Sequence, residues 1–231
     1  MVQLRSDMGV QLVDHMGSDQ RICQAARVST LGIESLETGE AGGLIRFLMK
    51  GRHSSPFEHG SLTFLVEAPI FVWREIVRHR IGVSLNEESA RYRELAPIFY
   101  QPAASRKLVQ IGRPGQYSFI AGTREQFRTV ETATRLAYEV AWNSYQRMLS
   151  EGIAREVARI ALPVAIYSAA YITFNPRSLL HFLSLRTIEP NSIFPSYPQR
   201  EIEMVAEQME EHFAVHFPLT HAAFREMGSA V

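Results

Sequence analysis

The longest regular pattern in the chain is helical. Between Thr123 and Ser150, apolar side chains recur at steps of three and four residues, and the pattern ends near Gly152. This spacing predicts one long amphipathic α-helix whose apolar side must be covered by other parts of the protein. A chain of 231 residues buries enough surface to supply that core itself.

Shorter patterns on both sides of this helix mix strands with helices. We predict strands over residues 10–14 and 61–67. The other predicted helices are one capped by Ser18 or Asp19, one over Gly42–Lys50 that Gly51 ends in a left-handed conformation, one from Ile70 to about Arg80, one over residues 154–162, one opened by Asn175 and Pro176, and a last one over residues 199–217. Residues 88–113 are predicted to be mostly loop, and residues 189–198, with three prolines, to be irregular. Two or three strands with five or six helices indicate the α+β class, as a small mixed or antiparallel sheet packed with long helices in a single domain over residues 1–231.

The composition is that of an ordinary globular protein, with 46% apolar and 21% charged residues. The 24 basic and 24 acidic residues cancel, which argues against a nucleic-acid partner. The apolar runs fall short of the ~20 residues that a membrane span needs, and the N-terminus lacks a basic-then-apolar secretory pattern. We therefore expect a cytoplasmic protein without a membrane partner.

Cysteine and the common motifs narrow the chemistry further. Cys23 is the only cysteine, so a disulfide within the chain and a cysteine-based zinc site are excluded, and its helical surroundings predict a buried, inert thiol. The sequence contains no GxGxxG after a strand, no GxxxxGK[ST], no GxSxG and no HExxH. His53 and His59 are six residues apart, which is not a metal-ligand spacing, so we predict no metal site.

What remains is a concentration of arginine and histidine. Arg74, Arg78 and Arg80 lie close together around His79, and such like charges repel one another unless an anion is present. Either Glu75 and solvent satisfy them, or they form a phosphate or pyrophosphate site, which suits the bidentate geometry of arginine. The following NEESARY, residues 86–92, adds groups suited to a pyrimidine edge and a ribose phosphate.

These motifs resemble a known family. The RHR of residues 78–80 followed by NEESARY resembles the RHR-x7-S motif of the flavin-dependent thymidylate synthases. Four further stretches are similar to elements of that family in the same order: VQLVDHMGSDQRICQAARVS at 10–29, GRHSSPFEHGSLTFLVEAPIFVWREIVRHR at 51–80, ARIALP at 158–163 and NPRSLLHFLSLR at 175–186. The chain departs from the motif by one residue, because the strict spacing falls on Glu88. We assign the motif serine to Ser89, with Ser84 as the rival.

The resemblance implies a reaction. A methyltransferase of nucleotide biosynthesis would convert dUMP to dTMP, with methylenetetrahydrofolate as carbon donor and NADPH-reduced FAD as hydride donor. Cysteine-dependent thymidylate synthases attack uracil with an activated thiolate. Cys23 in a packed helix is a poor candidate, so a flavoprotein route without a cysteine nucleophile fits better.

The resemblance also implies roles for individual residues. The positions matching FAD contacts are Ser55, Arg78, His79, Arg80, Glu87, Asn175, Arg177 and His181. The positions matching dUMP contacts are Glu75, Arg78, Glu87, Glu88, Ser89, Ala90, Arg91, Arg159 and Arg186. Arg186 matches the residue thought to favour ionised uracil N3, and a fixed cation has that effect. Ser89 is proposed in the family as a nucleophile, but we interpret it as a hydrogen-bonding contact, and His53 matches a histidine near the flavin and folate.

Helical geometry adds one inference. Arg177 and His181 share a helix face, whereas Arg186 lies about half a turn away from Arg177 in angle. We therefore predict active sites shared between subunits of a homo-oligomer, and the family resemblance implies that this oligomer is a homotetramer. Three other hypotheses stay open: an RNA uracil methyltransferase, which the neutral charge disfavours; a nucleotide-binding regulator without turnover; and a helical scaffold, which leaves the arginines unexplained.

Overall fold

The computed structural model describes residues 1–113, 116–188 and 192–228. The strands there are β1 Gln3–Arg5, β2 Gly9–Met16, β3 Ser61–Pro69, β4 Val83–Glu87, β5 Ile98–Tyr100, β6 Val109–Arg113, β7 Gln116–Ile120 and β8 Tyr167–Phe174. The helices are α1 Asp19–Leu31, α2 Gly42–Lys50, α3 Ile70–Ile76, α4 Arg124–Ser150, α5 Arg155–Ala158, α6 Pro176–Arg186, α7 Arg200–His216 and α8 Pro218–Met227. Short 3₁₀ segments cover Gly32–Glu37, Ser55–Glu58 and Arg159–Ala161. The α+β class is confirmed, and in the described ranges no helix is both long enough and apolar enough to cross a membrane.

The chain divides into two compact units, each made of non-contiguous segments. The first unit comprises Met1–Asp7, Ala68–Trp73 and the described part of Glu87–Ala169. The second comprises Met8–Glu67, Arg74–Asn86 and the described part of Ala170–Val231. That the whole chain forms one domain stays a prediction.

The second unit contains a four-stranded sheet in the order β2-β3-β8-β4. Strands β2 and β3 pair antiparallel from Gly9↔Glu67 to Met16↔Ser61, with an irregularity between Leu12 and Asp14. Along β3, Leu62, Phe64 and Val66 are fully buried and alternate with partly buried or exposed neighbours. The two predicted strands are confirmed, but β4 and β8 were not predicted.

Helix α1 begins with an arrangement that the sequence did not reveal. Ser18 stands at the N-cap, but its side chain makes no capping hydrogen bond. The buried carboxylate of Asp19 instead accepts hydrogen bonds from Leu219 N at 2.7 Å, Thr220 N at 3.0 Å and Thr220 Oγ1 at 2.6 Å. Asp19 therefore caps α8, where a negative charge is favourable, and the prediction that it caps its own helix was wrong.

The first unit is organised around α4, whose predicted extent is confirmed. Its start is fixed by a capping box, in which Thr123 and Gln126 each accept a hydrogen bond from the other's backbone N–H. Tyr138 stacks on Phe99 with ring centroids 4.9 Å apart, and its hydroxyl donates to Tyr100 O at 2.9 Å. The same unit contains the parallel pair β1–β5 and the antiparallel hairpin β6–β7.

Several boundaries differ from the prediction. Helix α3 was predicted to reach about Arg80 but stops at Ile76, so Arg78 and Arg80 lie beyond it. In place of the helix predicted over residues 154–162, residues 155–161 form only a short helix and a 3₁₀ turn. The helix predicted to be last, α7, is followed by a further helix, α8. Strands β5 and β6 lie within the predicted loop, and Gly51 has φ −81° rather than a left-handed value. Of the predicted irregular segment 189–198, residues 189–191 lie outside the described residues and the remainder contains no helix or strand.

The Asp19 cap gives a testable stability effect. Asp19→Ala leaves the N–H groups of Leu219 and Thr220 at the start of α8 without acceptors, and should lower the free energy of unfolding by about 2 kcal/mol. Urea denaturation measures the change. Glu37→Ala, an exposed carboxylate before α2, serves as the matched control and should stay close to wild type. Equal stability of Asp19→Ala and wild type would contradict this account of the cap.

Candidate active site

Arg186, at the last position of α6, is held rigidly by two residues from the end of α3 and the turn after it. Its Nε donates to His79 Nε2 at 3.1 Å, and its Nη1 donates to Glu75 Oε2 at 2.8 Å. A weaker bond joins Nη2 to the Glu75 carbonyl oxygen at 3.4 Å. A guanidinium has five N–H donors, so two remain for another acceptor. The arrangement presents a fixed cation with a free edge.

His79 is a neutral hydrogen-bond acceptor for Arg186. Its Nε2 accepts the Arg186 hydrogen bond, so in the neutral ring the proton sits on Nδ1. Burial, then the nearby Arg186 charge and His181, lower the pKa of His79 to about 4. The ring also meets Phe182 and His181 edge-on, at centroid distances of 4.8 and 6.0 Å. Two predicted FAD contacts, His79 and His181, therefore lie beside the predicted catalytic arginine.

The turn that follows His79 is fastened to the start of α6. Ser178 Oγ donates to the Ile81 carbonyl at 2.7 Å, and Asn175 Oδ1 caps α6 by accepting from Ser178 N at 2.8 Å. Gly82 has φ +65°, and a Cβ there would lie 2.6 Å from Asn175 Nδ2 and closer still to Ser178 Oγ. Only glycine fits, and the close approach brings the RHR segment next to the predicted flavin contact Asn175.

A second ion pair fixes the segment that carries Ser55. Arg177, on the first turn of α6, donates from Nη1 to Glu58 Oε1. Glu58 ends the 3₁₀ segment Ser55–Glu58, so this pair links that segment to α6. Ser55 itself is exposed. Most of the predicted FAD positions thus converge on one part of the second unit.

Three arginines of the predicted anion site are free. Arg74, Arg78 and Arg80 are exposed, and none of their side chains forms a hydrogen bond or ion pair with any residue in the described ranges. Glu75, which could have satisfied them, is engaged by Arg186 instead. The structure therefore favours the phosphate interpretation over the one in which Glu75 neutralises the cluster.

The remaining predicted dUMP contacts belong to the first unit, where two carboxylates are already engaged. Glu87 Oε1 accepts from Ser168 Oγ at 2.6 Å. Glu88 Oε1 accepts from Ala169 N at 2.9 Å, while Glu88 N donates to Ala169 O at 2.9 Å. The paired bonds give Glu88 a structural role in holding the start of the 88–92 segment.

Ser89 and its neighbours form a turn. Ser89 Oγ accepts from Arg91 N at 3.2 Å, and within the described part of the chain no imidazole or carboxylate hydrogen-bonds to it. Arg91 pairs with Glu156 at 3.0 Å, and Ala90 is buried. Arg159 is exposed, and its side chain forms no hydrogen bond or ion pair with a described residue. A hydroxyl without an adjacent base is not activated as a nucleophile, which favours the hydrogen-bonding interpretation of Ser89. The rival Ser84 is exposed in β4.

Sequence reasoning missed Ser168, which lies in the unpredicted strand β8. Ser168 is 3% exposed; its hydroxyl donates to Glu87, and its carbonyl accepts from Trp73 Nε1 at 3.2 Å. Ser168 therefore orients the carboxylate of Glu87, a residue that the family resemblance assigns to both FAD and dUMP. A serine among apolar residues carries no signal of such a role, because its partner is 81 positions away.

Comparisons with known proteins show which family this chain resembles. The family profile described as thymidylate synthase complementing protein matches residues 11–219. The flavin-dependent thymidylate synthase of Streptomyces coelicolor is 55% identical over 98% of this chain and 94% of its own length, and that of Tropheryma whipplei is 51% identical over 96% and 94%. The crystal structure of the UMP/dUMP methylase PolB from Streptomyces cacaoi bound with 5-Br dUMP has a TM-score of 0.94 and 51% identity over the whole of both chains. The same enzyme bound with 5-Br UMP has a TM-score of 0.92 and 52% identity, over 100% of this chain and 99% of that one.

The environment of His79 predicts acid sensitivity. Between the unfolded pKa of about 6.5 and the folded value of about 4, the unfolded chain holds a proton that the folded chain does not. Stability is therefore complete above about pH 6.5 and falls as the pH drops towards 4. After allowance for partial exposure, we expect a loss on the order of 1–2 kcal/mol between about pH 7 and about pH 4.5.

His79→Gln tests this, because glutamine accepts a hydrogen bond but does not titrate. Urea unfolding across that pH range should show a flatter decline in the variant than in wild type. His59→Gln, at an exposed histidine, controls for the loss of one imidazole and should keep the wild-type slope. Parallel slopes for wild type and His79→Gln would show that His79 is not held neutral.

Proposed function

Because the chain belongs to the family of flavin-dependent thymidylate synthases, we propose that it methylates dUMP to dTMP, with methylenetetrahydrofolate as the carbon donor and NADPH-reduced FAD as the hydride donor. The observation that carries this proposal is the Arg186 guanidinium held by Glu75 and His79 with its remaining donors free. A cation fixed in this way lowers the pKa of a uracil N3–H beside it, and the anionic ring is the more nucleophilic at C5.

The second unit also offers what a dinucleotide cofactor needs. The exposed guanidinium groups of Arg78 and Arg80 suit a pyrophosphate, and the Asn175 amide and His181 imidazole lie on the adjoining α6. Ser55 is linked to the same helix through the Glu58–Arg177 pair. When bound, the flavin supplies the redox chemistry that the chain's own side chains lack.

The state of Cys23 supports a route without a protein nucleophile. The thiol is fully buried, its Sγ accepts from Ala41 N at 3.3 Å, and burial raises the pKa of the Cys23 thiol. A protonated, inaccessible thiol cannot attack uracil.

Three observations bear on the assembly of subunits and on the kind of substrate. On α4, Leu136 and Val140 lie one turn apart and are 63% and 59% exposed, as expected of a helix face that a subunit covers. Arg177 and Arg186 engage different partners at opposite ends of α6, in agreement with a homotetramer whose active sites are shared. The zero net charge supports an enzyme that works on free nucleotides rather than on nucleic acid. Full activity of a monomer at high dilution would contradict the shared sites.

UMP is a second candidate substrate, because the methylase PolB, similar over the whole chain, is a UMP/dUMP methylase. Steady-state kinetics on each nucleotide decide between the two: a higher kcat/KM on UMP would make ribonucleotide methylation the main activity.

The experiment that tests the function uses the purified protein. It should be yellow from bound FAD, should oxidise NADPH faster when dUMP is added, and should form dTMP when methylenetetrahydrofolate is present. A colourless protein that takes up no FAD would overturn the proposal.

Arg186→Lys tests the role of the fixed guanidinium. Lysine keeps the charge but cannot bond Glu75 and His79 while presenting two further donors, so kcat/KM for dUMP should fall by about 100-fold or more. The flavin absorbance should be retained. Arg200→Lys, which alters an ion-paired arginine on α7, is the control and should leave the kinetics unchanged.

Cys23→Ala tests the proposed absence of a thiol nucleophile. We expect kcat within about threefold of wild type, whereas removal of a true nucleophile costs about 10⁴-fold or more. Rates of dTMP formation at saturating dUMP distinguish the two cases.

A further inference from the structure

The C-terminal end of α2 has an unusual residue in a demanding position. His53 N donates to Leu48 O at 2.9 Å, and Arg52 N donates to Met49 O at 3.1 Å. This pair of bonds defines a Schellman motif, whose next-to-last residue takes a left-handed conformation and is usually glycine. Here that residue is Arg52, with φ +54°, the one non-glycine residue with positive φ in the described ranges.

A glycine stands one position too early to take that conformation. Gly51 has φ −81°, which any residue adopts. A Cβ at Gly51, however, would lie 2.7 Å from His53 Cδ2 and 3.0 Å from His53 Nε2. Gly51 therefore leaves room for the His53 imidazole close to the backbone, and that ring stacks on Phe47 with a centroid distance of 5.8 Å.

The Schellman motif requires the left-handed conformation at this position, but no side-chain contact of Arg52 offsets its strain. The side chain is exposed and forms no hydrogen bond or ion pair with a residue that the structure describes. A cation near a helix C-terminus is favourable, but Lys50 in the last turn already supplies one. The carboxylate nearest along the chain, Glu58, is engaged by Arg177.

The neighbourhood has the character of a ligand surface. Phe47 is 64% exposed although it stacks on His53, and the exposed Arg52 directly precedes His53 in the chain. Non-glycine residues held in left-handed conformations persist where function requires them. A guanidinium in such a position suits a carboxylate or phosphate, which it binds in a bidentate manner.

We propose that Arg52 binds the anionic group of a cosubstrate, and that its left-handed backbone directs the guanidinium to that group. The inference rests on the proposed function, since His53 is assigned to the flavin and folate region only by family resemblance. Both cosubstrates carry a suitable oxyanion: the folate has tail carboxylates, and NADPH has phosphates. The experiment separates the two sources.

Arg52→Gly removes the side chain and relieves the strain together. Its Tm should rise by about 2–4 °C. The Kd of the FAD-loaded protein for one cosubstrate, methylenetetrahydrofolate or NADPH, should rise about tenfold or more, with a matching rise in KM. The kcat at saturation should stay within about twofold. Arg52→Lys, which keeps the charge and the strain, should keep the wild-type Tm and lose only part of the affinity.

Lys50→Ala is the matched control, because it removes a neighbouring exposed cation from the same helix end. It should leave both Kd values unchanged. Unchanged binding of both cosubstrates by Arg52→Gly, a fall in its Tm, or an equal loss of affinity in Lys50→Ala would each overturn the role of Arg52. A wild-type chain that takes up no FAD would instead overturn the proposed function on which the inference rests.

Discussion

The site depends on one constraint, the fixation of the Arg186 guanidinium. A flexible arginine at a helix end would point into solvent, but Glu75 and His79 bind three of its five donors and so define the direction of the other two. His79 can do this only as a neutral ring, and burial together with the adjacent cation keeps it so. Because Ser178 and Asn175 hold the turn at Ile81 and Gly82 against α6, the residues that fix Arg186 cannot drift away from it.

Elements with local signals could be predicted from the sequence. The periodicity of α4 and the Asn175-Pro176 start of α6 are encoded within a few residues, and both elements were found as expected. Strand β8 and the Asp19 cap of α8 depend on partners far along the chain, about 200 positions away for Asp19. The end of α2 was predicted one residue too early: the pattern suggested Gly51 as the left-handed residue, but that conformation is found at Arg52, and Gly51 instead leaves room for the His53 ring.

In the candidate site, too, some features have a sequence signal and others depend on distant partners. The family resemblance marks motif residues such as Arg78, His79 and Arg186, and their roles in binding stay predictions. The sequence does not show which arginine pairs with Glu75 and which side chains stay unpaired, because that depends on how α3 and α6 pack. Ser168, which orients Glu87, carries no sequence signal at all. A motif therefore indicates which residues belong to the candidate site, whereas the structure shows which of their charged side chains pair with one another.

Whether a fixed Arg186 favours the ionised uracil can be measured on the bound nucleotide. Deprotonation of uracil N3 changes its ultraviolet spectrum, so a pH titration of 5-bromo-dUMP bound to the FAD-loaded protein reports the pKa of that N–H. We expect a pKa below that of the free nucleotide in the wild-type protein and a return towards the free value in Arg186→Lys. Equal values for the free and the bound nucleotide in the wild-type protein would contradict it.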